Sequence, residues 1–138
     1  MRRFRHICSL ESLFSILETK KFSPVYKSPL AGDSGINGYL EGDAFNRGQN
    51  IEGVGAELII EWGGKIQNDL KAQLQYPLPP NVLVRQGAWR SVIPCRTDSS
   101  LIKVVDFEIH CKPTFFQKIK ILKLKRQLKK EAAYLKLV

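Results

Sequence analysis

Leu10, Leu13, Phe14 and Leu17 recur at i, i+3, i+4 and i+7, the spacing of one buried face of a helix. Ser9 ahead of them suits an N-cap. Lys20 and Lys21 fall where the last turn is expected, cations at the negative end of the helix dipole, and Pro24 bars continuation. Phe4 to Ile7 predicts a short strand before this helix. AELIIEW, residues 56 to 62, is rich in β-formers and closed by Gly63 and Gly64, so it predicts a central strand. Residues 66 to 75 predict a short helix, and YPLPP, 76 to 80, an extended connector shaped by its prolines.

VLV at 82 to 84, SVI at 91 to 93 and SLIKVVDFEI at 100 to 109 read as further strands, the last interrupted near Asp106. KIKILKL, 118 to 124, alternates and then slips by one at Ile121 and Leu122, as a β-bulge would make it, and a helix from about Arg126 to Leu135 follows. One early helix followed by several strands predicts an α+β fold of a single domain over 1–138. Twisted, mostly antiparallel sheet, an early amphipathic helix and a basic C-terminal strand and helix at 112–138 make up that expectation.

Residues 28 to 55 interrupt the periodic pattern with seven glycines, a long connection for a chain of 138 residues. Asp33, Asn37, Tyr39, Glu41, Asp43, Asn46, Arg47 and Gln49 give it varied hydrogen-bonding groups, so it reads as a binding segment and not as a linker. GDSGING within it lacks both the GxGxxG register and a lysine-serine ending, and so is no phosphate loop.

The net charge of +9 is unevenly placed. From Lys112 to Val138 there are nine bases and one acid, leaving 22 − 9 = 13 bases against 13 − 1 = 12 acids in the preceding part. The excess therefore belongs to the C-terminal element, which would suit phosphates or an acidic partner. Cys8, Cys95 and Cys111 are odd in number and far apart, which fits neither a disulfide framework nor paired zinc ligands. Reduced thiols in a cytoplasm are expected. No run of about 18 apolar residues and no leader pattern is seen, so a soluble protein without membrane contact is expected. His110 and Cys111 are adjacent, and adjacent strand residues point to opposite faces, which makes them a poor metal pair.

His6 at the end of a first strand, the helix LESLFSILETKKF, the segment GDSGINGYL and the strand AELIIEWGGK follow one another in an order that resembles the ADP-ribosyltransferase superfamily, in its His-Tyr-Glu branch of poly(ADP-ribose) polymerases and bacterial toxins. The likeness covers roughly the first half. It implies NAD as substrate, with His6 hydrogen-bonded to the nicotinamide ribose and Tyr39 stacked on the nicotinamide ring. Ser9 and Asn37 lie beside them in the same segments and complete that side of the NAD site. It also implies a macromolecular acceptor, a nucleic acid or an acidic protein, and a cognate inhibitor protein, as in toxin, defence or phage systems. Breaking the nicotinamide bond passes through an oxocarbenium-like state, which calls for fixed donors and a stabilising carboxylate.

In the second half, GAWRSVIP resembles the segment before the last catalytic strand of that family. Arg90, beside Trp89, offers a planar fork suited to a pyrophosphate or carboxylate. The family's glutamate should open the following strand, where Thr97, Asp98, Ser99, Ser100 and Leu101 stand instead. Asp98 at the start and Glu108 at the far end are the candidate catalytic acids, with Glu41, Glu52 and Glu57 as further ones. Two classes remain open at this level: an NAD-dependent ADP-ribosyltransferase, or a non-catalytic nucleic-acid- or partner-binding module that uses the basic C-terminal element.

Overall fold

The computed structural model describes residues 2–23, 35–41, 55–64, 67–68, 91–94 and 102–137. In chain order its elements are β1 (Arg2–Cys8), α1 (Leu10–Thr19), β2 (Lys21–Phe22), β3 (Gly35–Leu40), β4 (Ala56–Trp62), β5 (Gln67–Asn68), β6 (Ser91–Pro94), β7 (Lys103–Ile109), α2 (Phe115–Lys130), β8 (Ala133–Tyr134) and β9 (Lys136–Leu137). A seven-stranded sheet runs β5-β6-β3-β1-β4-β7-β8, with every neighbouring pair antiparallel. β2 and β9 form a separate parallel pair. The chain is thus an α+β protein with mostly antiparallel sheet, as its pattern predicts.

α1 starts where Ser9 caps it, its hydroxyl accepting from the Ser12 N–H at 3.1 Å. It ends at Thr19, two residues earlier than the lysines suggest. Lys20 is the C-cap, in the left-handed conformation at φ 55, so neither Lys20 nor Lys21 lies in the last turn. Leu10, Leu13, Phe14, Ile16 and Leu17 are buried and join Phe4, Leu58, Ile60 and Phe107 in one core. These side chains define the face of the sheet that α1 covers.

β1 lies in the middle because its residues pair on both sides: Phe4 and Arg5 with Leu40 and Tyr39 of β3, and Arg2 to Cys8 with Trp62 to Ala56 of β4. Gly38 makes the approach of β3 feasible, since a Cβ there would fall 2.0 Å from the Arg5 carbonyl oxygen and 2.9 Å from the Phe4 ring. GINGYL is accordingly a strand, and its glycine serves close packing rather than a turn. β4 is central as expected, between β1 and β7. The interruption expected near Asp106 is a register shift: Asp106 faces Ile59, and Val104 faces Ile60.

Two expectations are corrected. Gln67 and Asn68, placed in a helix over 66 to 75, form β5 against β6. KIKILKL is no bulged strand. It is the middle of α2, whose 16 residues run from a capping box at Thr114 and Gln117 to Lys130, so the helix placed at 126 to 135 begins earlier and ends earlier. Ile121, Leu124, Lys125 and Leu128 turn inward at i, i+3, i+4 and i+7, a helical spacing that the local alternation conceals. Strand or connector expectations over 76 to 80 and 82 to 84 lie outside the described residues. No helix among the described residues is long and apolar enough to cross a membrane.

Candidate functional site

Strand parity sorts the candidate side chains. Arg5 is opposite both Tyr39 and Ile59, while Glu57 is opposite Glu108. Arg5, Tyr39, Glu57 and Glu108 therefore share one face, and His6, opposite Leu58, shares the other with Phe4 and Cys8. The cleft expected between His6 and Tyr39 does not form. His6 is 8% exposed and its ring meets Phe22 edge-on at 4.9 Å, beside the core under α1.

On the opposite face a polar cluster is built around Arg5. Its Nη1 donates to Glu57 Oε2 at 2.9 Å and lies 3.0 Å from Glu108 Oε1, and its Nε donates to Glu41 Oε1 at 2.9 Å. Tyr39 donates its hydroxyl to Glu57 Oε1 at 2.5 Å. Glu57 and Glu108 stand directly across from each other, a like-charge pair that a sheet tolerates poorly. Arg5, diagonal to Glu57 from β1 and reaching Glu108 across β4, resolves the conflict. Burial alone would lower the Arg5 pKa, but hydrogen bonds from its guanidinium to Glu41, Glu108 and Glu57 outweigh that and raise it.

His110 joins the same cluster from just beyond β7. Its backbone N–H donates to the Gly55 carbonyl at 2.7 Å, and its Nε2 lies 3.5 Å from one oxygen each of Glu57 and Glu108. Glu57, Glu108 and His110 could hold a metal ion, each offering a ligand atom within 4.8 Å of the others. Arg5 already lies against both carboxylates and meets the charge such an ion would neutralise. Of the cluster's glutamates, Glu57 is fully buried, whereas the Glu108 side chain is 39% exposed and provides an end that a substrate could reach.

The sequence candidates are therefore divided. Tyr39 and Glu108 come together through Glu57 and Arg5. Tyr39 is 2% exposed with its hydroxyl engaged by Glu57, not an open ring for stacking. Ser9 serves as the α1 cap. Asn37 is placed in β3 opposite Val92, with only its backbone described, and Asp98 and Arg90 lie outside the described residues. Arg5 and His110 are cluster members that sequence reading missed. The x-Glu-x-His spacing of 108 and 110 was the available signal, since alternate strand residues share a face.

A second surface is carried by α2. Of its 16 residues seven are Lys or Arg and none is acidic, and Leu124 alone is buried. Two of the bases are engaged with the domain: Lys125 bonds Asp106 and the Phe107 carbonyl, and Lys120 pairs with Glu18 at 2.7 Å. Lys118, Lys123, Arg126, Lys129 and Lys130 have no ion-pair partner among the described residues. Phe115 and Phe116 are 71% and 80% exposed, with Ile119 and Leu122 beside them in the open. Comparison with known proteins finds no matching family model, no matching curated protein and no matching solved structure.

Proposed function

We propose that the chain is a polyanion-binding module, with nucleic acid as the partner class and α2 as the contact. The observation that carries this is the set of five bases on one helix that has no acidic residue of its own, none of the five in an ion pair among the described residues. A solvated face needs no such excess of one sign, and clustered Lys and Arg along a helix are the electrostatic footprint of phosphate binding. Salt dependence tests it. Binding of a labelled nucleic acid, followed by fluorescence anisotropy, should weaken with a log-log slope of about −3.5 to −4.5 if the five bases each neutralise one phosphate. Replacing Lys123, Lys129 and Lys130 by Gln should flatten that slope by about 2 to 3. Absence of binding at low salt ends the proposal. Lys125 is left out of the set because it holds Asp106.

The convergence of Tyr39 and Glu108 on one sheet face favours a second reading, the NAD-dependent ADP-ribosyltransferase class suggested by the resemblance. In it Glu108 stabilises the oxocarbenium-like state, oriented by Arg5, with no part for His6. Its test is NAD consumption by the purified chain. Loss of turnover in Glu108→Gln with unchanged melting temperature supports it; no turnover in the parent protein with any nucleic-acid or protein acceptor removes it.

A further inference from the structure

The outer face of α2 is divided end to end. At 3.6 residues per turn, Phe115, Ile119, Leu122 and Arg126 fall along one line, with Phe116 and Lys123 on one flank and Lys129 continuing it. The first two turns of this outward line are apolar and aromatic, with Lys118 on the flank opposite Phe116. The last two, with Lys123, Arg126, Lys129 and Lys130, are basic. Phe115 and Phe116 meet edge to face, ring centroids 5.7 Å apart, so their planes diverge by 72° and present two differently directed π faces to solvent.

We propose, resting on the polyanion reading above, that the partner of α2 is a single-stranded nucleic acid. Its bases stack on Phe115 and Phe116, and its backbone runs along Lys123, Arg126, Lys129 and Lys130. Aromatic rings beside a basic track are the means by which proteins hold single strands irrespective of sequence, because every base has a π face to offer. A duplex buries those faces in its own stack and leaves the two rings with nothing to meet. An anionic membrane fits the charge but not the layout. A helix lying in a membrane interface carries its apolar stripe along its full length, with bases on the opposite side. Here the side opposite the exposed stripe is packed on β7 through Leu124 and Lys125, and along the outward line itself Phe115, Ile119 and Leu122 give way to Arg126 and Lys129, with Lys118 flanking the apolar part. From Phe116 to Lys130 the helix rises about 21 Å, room for a stacked end and a separate phosphate track.

The experiment compares three probes under one buffer: a labelled thymidine oligomer, a hairpin duplex of equal phosphate number, and vesicles containing phosphatidylserine. Phe115→Leu/Phe116→Leu keeps the apolar character and removes the stacking faces, and the exposure of both rings leaves the fold untouched. The expected result is tighter binding of the single strand than of the duplex. The double variant should weaken the single strand by about fivefold or more, with its salt slope and duplex binding unchanged. Equal affinity for strand and duplex, or a silent double variant, overturns the stacking role while the polyanion reading stands. Vesicle binding without binding to either nucleic acid overturns both.

Discussion

At the scale of single residues the most consequential side chain is Arg5, the one arginine or lysine among the described residues set between Glu41, Glu57 and Glu108. A buried ion pair adds little net stability against an apolar replacement of both partners, but removing one partner strands the other. Arg5→Met should therefore cost about 3 to 5 kcal/mol in urea unfolding, and adding Glu57→Gln should recover part of it, a coupling that a double-mutant cycle reads directly. A loss below about 1 kcal/mol would mean that water, not Arg5, holds the carboxylates. Cys8 makes a second prediction. Burial first, and the Glu57 charge second, push its thiol up to about 12. The folded state thus favours the neutral thiol, and the associated stability is present in full below the unfolded value near 8.5 and is lost as pH rises toward 12. Iodoacetamide at pH 8.5 should label Cys8 only in denaturant, and Cys8→Ser should blunt the alkaline loss of stability.

His6 shows why site residues are harder to read than elements. Its strand is recognisable from local pattern, but the face it points to depends on pairing with β4 and β3, more than thirty residues away. A register slip of one residue exchanges the two faces, and no local signal fixes the register. Arg5 and His6 were therefore interchangeable to sequence reading, and they have opposite environments in the fold. The Tyr39–Glu57–Glu108 grouping was hidden for the same reason, since it spans three strands.

Among the elements, α1 and β4 were legible because their patterns are long, uniform and punctuated: four apolar residues at helical spacing after a serine cap, and an apolar run closed by two glycines. α2 was obscured by its own exposed residues. Ile119 and Leu122 are hydrophobic yet face out, and they convert an inward spacing of 121, 124, 125 and 128 into apparent alternation. The Thr114 and Gln117 capping box was the better signal for its start. The two sides of α2 should respond differently to truncation. Leu124→Ala should cost about 2 to 5 kcal/mol, whereas Leu122→Ala should change stability by no more than about 0.5 kcal/mol. Thermal unfolding of the two variants side by side checks the assignment, and a reversed order would mean that α2 is turned about its axis.

For the whole molecule, the charge distribution matters more than its sum. The body is nearly neutral and the excess sits on α2, so the protein is electrostatically one-sided. Replacing Lys123, Arg126, Lys129 and Lys130 by Gln leaves 22 − 4 = 18 bases in the chain. It should nevertheless remove most of the retention on a cation exchanger, because a local patch binds a charged surface more strongly than a scattered excess. A loss merely proportionate to the four charges would show that the remaining bases act together.

The attachment of α2 sets how such changes can accumulate. β7 enters it and β8 leaves it, and the two are paired in the same sheet, while Lys125 fastens its middle to Asp106 and the Phe107 carbonyl. Folding therefore constrains the inner residues and both ends, and leaves the outer line almost unconstrained. A sequence can rewrite that line without first securing the scaffold again. The helix is a display surface whose recognition can drift, be exchanged or be engineered while the sheet beneath it stays as it is.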